Sequence, residues 1–99
     1  MKPIDYIASE RRKAGRRGHE WTITEEEAIG LTQLPCSYCG EAPHEGLGGI
    51  DRVDNTRGYV AGNCAPCCGW CNALKGRLTK DEFLRQVERV HAHQSALPV

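Results

Sequence analysis

Six cysteines fall within 99 residues, and they come as three pairs with two residues between partners: Cys36 and Cys39 in CSYC, Cys64 and Cys67 in CAPC, Cys68 and Cys71 in CGWC. Ile, Leu, Val and Phe together number only 18. A chain of this size with so few large apolar side chains needs a staple, either disulfides or a structural metal. The amino terminus reads MKPIDYIASERRKAG, with no apolar run long enough for a signal peptide or a membrane span, so a cytoplasmic setting is expected. Structural disulfides are rare there, and cysteines paired two apart serve instead as thiolate ligands for zinc. A thioredoxin-like redox motif would use a single pair within a βαβ unit, which this pattern does not offer.

One zinc takes four ligands. Cys36, Cys39, Cys68 and Cys71 are the expected set, because Cys68 and Cys71 open a predicted helix and adjoin Asn72. The alternative replaces the second pair with Cys64 and Cys67. The two spare cysteines are then small buried side chains.

The 13 Lys and Arg balance the 13 Asp and Glu, yet the charges are segregated. Arg11, Arg12, Lys13, Arg16 and Arg17 crowd one stretch, residues 19–50 hold acids and no Lys or Arg, and Arg52, Arg57, Lys75 and Arg77 restore positive charge. Two basic clusters flanking a metal site are candidate phosphate contacts. Helices are predicted from Pro3 to about residue 14, from Glu25 to Gln33 behind a Thr24/Glu27 capping box, from Cys68 to about Arg77, and after Thr79/Glu82. In the last, Phe83, Leu84, Val87, Val90 and His91 share a face expected to pack on the core, with His91 and His93 outside any ligand set. GIDRV and GYVAG read as two strands of a hairpin around Asp54–Gly58. Tyr38, Tyr59 and Trp70 read as core aromatics, and Trp21 as an anchor between the amino-terminal segment and the core.

The run GIDRVDNTRGYVAGNCAPCCGWCNALKG, taken with the upstream CSYCG, resembles the HNH endonucleases, most closely their phage-type four-cysteine members; RRGHEWTITEEEAIGLTQLPC resembles the lead-in such proteins carry. The resemblance implies an α+β fold: a small zinc-stapled ββα-metal domain with amino- and carboxy-terminal helices. Residues 1–35 would form a basic helical extension and residues 36–99 the zinc-bound core. It further implies Asp51 as a metal-binding carboxylate, Asn63 as a loop brace and Asn72 as the second ligand of a catalytic Mg²⁺ or Mn²⁺. Arg52 falls where the family carries its catalytic histidine. Arginine cannot accept a proton in a protein site, so Arg52 would grip phosphate and the base would come from elsewhere: His44 first, with His19 and Asp54 behind it.

The expected function is metal-dependent hydrolysis of DNA phosphodiester bonds by an endonuclease or nickase, with RNA left open as a substrate and no membrane partner. The expected phosphate contacts are Arg11, Arg12, Lys13, Arg16, Arg17, Arg57, Lys75 and Arg77. Two alternatives come from other classes: a non-catalytic nucleic-acid-binding module, and a zinc-stabilised protein-interaction domain using the acidic stretch from Glu20 to Glu45.

Overall fold

The computed structural model describes residues 1–98; Val99, the end of the expected 36–99 unit, lies outside them. Helix α1 spans Pro3–Arg16 and α2 spans Glu25–Thr32. A 3₁₀ turn at His44–Gly46 precedes strands β1 (Gly49–Arg52) and β2 (Cys64–Cys67), and helices α3 (Gly69–Lys75) and α4 (Lys80–Ala96) follow. The helix starts obey local chemistry. Pro3 sits in the first turn of α1, the Thr24 hydroxyl accepts the Glu27 N–H, and Thr79 with Glu82 closes a full capping box. The cap of α3 is a sulfur, since Cys68 Sγ accepts the Cys71 N–H at 3.4 Å.

β1 and β2 pair antiparallel, with Asp51 opposite Ala65 and Arg52 opposite Cys64. The expected second strand, GYVAG, is therefore misplaced: strand pairing uses Cys64–Cys67, and residues 53–63 form a long loop. Asn63 explains the displacement, because its side chain does work that a ladder would otherwise do. Its Oδ1 accepts the Asp54 N–H at 2.8 Å, and its Nδ2 donates to the carbonyls of Gly58 (2.8 Å) and Asp54 (3.1 Å). Of the expected strand only Tyr59 joins a bridge, an isolated parallel one to Trp21. Gly58 permits that approach, since a Cβ there would collide with the Glu20 backbone.

Side chains alternate across a strand, and the two faces of this small sheet meet different surroundings. Ile50 and Cys64 pack on a cluster of Ile7, Ile23 and Ala28 with Trp21 and Tyr59, so α1 and α2 cover that face. Cys67 lies on the opposite face in a second cluster with Cys36 and Cys71, joined by Tyr38 and Cys68. Among the described residues no helix is long and apolar enough to cross a membrane.

The apolar face of α4 departs from expectation. Only Phe83 is buried, while Leu84, Val87 and Val90 are exposed, as are His91 and His93. The capping box forms the helix locally, and its buried side chain, Phe83, meets Tyr38 of the first cysteine turn. Trp70, read as core, is 82% exposed on α3. On a seven-residue helix the inward positions already belong to Cys71 and Lys75, one turn apart.

Candidate functional site: a four-cysteine clasp and the strand above it

The Sγ atoms of Cys36, Cys39, Cys68 and Cys71 all lie within 4.8 Å of one another. Each pair forms a tight turn whose backbone points at sulfur: the Tyr38 N–H donates to Cys36 Sγ and the Cys71 N–H to Cys68 Sγ, both at 3.4 Å. Gly40 takes φ 77° to complete the first turn. Burial works to raise the Cys36 thiol, but the N–H groups of Cys39, Cys68 and Tyr38 outweigh it and bring it down to about 6. Cys71 is pushed up by burial. A thiolate beside thiols, converging within bonding reach of one point, is a donor set that fits zinc. Cys64 and Cys67, the alternative pair, are not among the four converging thiols, although Cys67 packs beside Cys36 and Cys71; burial pushes Cys67 up to about 12.

Asp51 stands above this clasp on β1, with only 5% of its surface exposed. Lys75 Nζ lies 3.2 Å from Oδ1, and the Tyr38 hydroxyl donates to Oδ2 at 2.7 Å. Lys75 also donates to the Arg52 carbonyl at 3.3 Å. Burial, then the hydrogen bond to Asp51, holds the Tyr38 phenol well above its ordinary value. Lys75 was expected at a phosphate; it is 1% exposed and its charge is spent inside. The sequence carried the signal, since Lys75 follows the ligand Cys71 by one helical turn and so shares its inward face.

A Mg²⁺ or Mn²⁺ on Asp51 and Asn72 does not fit this arrangement. Both carboxylate oxygens are engaged, an ammonium sits where the ion would add its charge, and Asn72 is exposed on α3. An ion at Asp51 would first have to displace Lys75.

Arg52 points to the other face. Its Nη1 donates to the carbonyls of Asn55 (2.9 Å) and Arg57 (3.0 Å), and its guanidinium carbon lies 5.9 Å from the centre of the Tyr59 ring. Asn55 ties the same loop to the Arg77 carbonyl at 2.6 Å, so the loop, Arg52 and the α3–α4 link hold one another. The His19 ring meets Tyr59 edge-on, 6.3 Å between centroids. Burial, then the charges of Arg52 and Arg17, lower the His19 pKa below its ordinary value. His44, first choice for the base, is on an exposed turn with its side chain 92% exposed and its Nε2 3.9 Å from Glu45 Oε1. Asp54 is occupied as the cap of its own turn, accepting from the Thr56 N–H and hydroxyl. Arg11, Arg12, Arg16, Arg17, Arg57 and Arg77 are exposed, whereas Lys13 pairs with Glu10 at 3.2 Å.

No protein-family profile matches the chain. Protein R423 of Acanthamoeba polyphaga mimivirus, itself uncharacterized, is 35% identical over 68 residues, or 69% of this chain; those residues span 13% of that protein's length. Among solved structures, the rare-cutting HNH restriction endonuclease PacI, reported for its perturbation of DNA, superposes with a TM-score of 0.72 over 98% of this chain and 83% of that one, at 22% identity. With the four-cysteine clasp, two antiparallel strands and following helix in place, this chain is, in fold, an HNH-like zinc domain.

Proposed function

We propose that the protein hydrolyses phosphodiester bonds in DNA, with His19 as the general base and the arginines around it as the phosphate site. One observation carries this reading: a histidine whose ring meets Tyr59 edge-on, the same ring that Arg52 approaches from β1, with its pKa lowered by burial, then Arg52 and Arg17. The cationic neighbours draw a phosphate and, after burial, disfavour the imidazolium, and the neutral ring is the form that accepts a proton. In the reaction water attacks phosphorus, its proton passes to His19, and the P–O bond breaks with its electron pair on the 3′ oxygen, which takes a proton from solvent. Arg52 retains guanidinium donors beyond the two N–H groups of Nη1 that hold the loop, and these with Arg17 and Arg57 offset charge on the phosphate. Arg11, Arg12 and Arg16 on α1 extend the basic surface along the backbone without reading bases. The likeness to PacI supports DNA as the substrate class.

The test is nicking of supercoiled plasmid by zinc-loaded protein, with Mg²⁺ or Mn²⁺ supplied. His19→Ala should lower the rate by about 10² to 10⁴ while leaving zinc content intact. His44→Ala should not change it; the reverse pattern would return the base to His44. A second reading, a nucleic-acid-binding module without catalysis, is favoured by the Lys75 ammonium on Asp51. It is the outcome if the protein binds DNA in low salt and cuts under neither ion.

A further inference from the structure

The two zinc knuckles each send one side chain to the same carboxylate. Tyr38, lying between ligands Cys36 and Cys39, gives its hydroxyl to Asp51 Oδ2 at 2.7 Å, and Lys75, one turn beyond ligand Cys71, gives its ammonium to Oδ1 at 3.2 Å. The Tyr38 ring is held edge-on by Phe83, 5.3 Å between centroids, which is the buried side chain of α4. The first knuckle is also pinned to β2, since the Ser37 N–H and hydroxyl both donate to the Pro66 carbonyl at 2.8 and 2.7 Å. Tyr38 therefore has little freedom once the knuckle closes, and its hydroxyl meets Asp51 in a place where both groups are largely removed from water.

We propose that Tyr38 is a positioning residue through which zinc binding is coupled to Asp51, and so to the strand that presents Arg52. Closing the knuckle fixes the Tyr38 backbone between two ligands; the ring, wedged on Phe83, carries that constraint to the carboxylate; Asp51 then holds β1 at the residue next to Arg52. Coupling between two sites is reciprocal. If zinc orders the Tyr38–Asp51 bond, that bond must in turn strengthen zinc binding, whether or not the protein cuts DNA.

The experiment is a double-mutant cycle on zinc affinity, read by competition with a chromogenic chelator, using Tyr38→Phe and Asp51→Asn in the full chain. Tyr38→Phe keeps the ring on Phe83 and leaves the Lys75–Asp51 pair in place, so it tests the hydroxyl alone. Its zinc affinity should fall roughly tenfold, at the lower end of typical coupling between linked sites. In the Asp51→Asn background the same substitution should cost markedly less. Unchanged affinity in Tyr38→Phe overturns the proposal, and so does an additive cycle, which would mark a packing effect. Should Asp51→Asn fail to fold, the carboxyl ¹³C resonance of Asp51 decides: it must move between zinc-loaded wild type and Tyr38→Phe, and a fixed resonance overturns the coupling. The activity arm rests on the nuclease reading, where Tyr38→Phe lowers kcat and leaves KM for DNA unchanged. Absence of cutting in the wild type would sink that reading alone, because the zinc cycle is measured without substrate.

Discussion

Asp51 and Arg52 are neighbours on β1, and strand alternation sends them into opposite worlds. Asp51 faces the clasp, where a buried ammonium and a phenol satisfy both its oxygens. Arg52 faces the lead-in, where it is half exposed and shares its surroundings with Tyr59 and His19. A charge that is dry and fully paired holds a fold together, whereas one that keeps free donors beside an imidazole whose pKa is lowered can meet a substrate. The Asp51 face is closed in the sense that its charges are fully paired, and it is the support; the Arg52 face, where the helices cover Ile50 and Cys64 but Arg52 keeps unpaired donors, is open in that sense only and is where chemistry is proposed. The resemblance to HNH proteins had put the work on the closed side, and the contrast makes that assignment testable.

Removal of zinc should have the largest effect. With small apolar clusters on either side of a two-stranded sheet, the clasp contributes on the order of 10 to 16 kcal/mol of apparent folding free energy, more than a small domain's usual net stability. Chelation or Cys36→Ser should therefore abolish the helical circular dichroism, and zinc should restore it after chelation. A folded apo-protein would show that the Ile7–Ile23–Ala28 cluster stands by itself, and the closed face would lose its status as support.

Lys75→Met comes next. It leaves the Asp51 carboxylate buried with an unpaired charge and should cost about 3 to 5 kcal/mol in denaturant unfolding of the zinc-loaded protein. Lys75→Met combined with Asp51→Leu should recover most of the loss, because removing both charges is often neutral. The folded double variant then divides the two faces: retained nicking keeps the chemistry at Arg52 and His19, and abolished nicking moves a divalent ion onto Asp51, with Lys75 as the group it displaces.

What was legible in the sequence follows from what acts locally. The caps at Thr24 and Thr79 formed the helices they signal, since a capping box needs only residues three apart. That thiols would converge was legible because two residues between cysteines is the spacing of a zinc turn, but CAPC shares that spacing, and only the place of Cys68 and Cys71 at the start of a helix pointed to the four that cluster. The partner of β1 was not, because β-propensity in GYVAG competes with Asn63, whose amide satisfies loop carbonyls in a way no periodicity announces. The fate of Lys75 could have been read from its turn-spacing to Cys71, yet a lysine in a basic run looks like a phosphate contact until its helix face is assigned. The place of His19 beside Tyr59 was hidden for a related reason. Sequence distance favours His44, whereas the approach of His19 depends on Gly58 letting the lead-in lie against the loop, a contact between segments far apart in the chain.

The smallest expected effect is also the most specific to the open face. Arg17 is exposed and its charge is one of those that lower the His19 pKa, after burial and Arg52. The base works when deprotonated, so kcat/KM for the wild type should rise with pH and level off through a group lying below the usual histidine value of 6.5. Arg17→Gln removes a positive neighbour, makes protonated His19 less unfavourable and raises its pKa, so the acidic limb of the profile should move to higher pH. The same change deletes one phosphate contact and should reduce the slope of log affinity against log salt by about 1. The two readouts separate the roles. A reduced salt slope with an unmoved limb would leave Arg17 as a phosphate contact and take the proton transfer away from His19, whereas a shift in both ties the base and the phosphate site to the same face of β1.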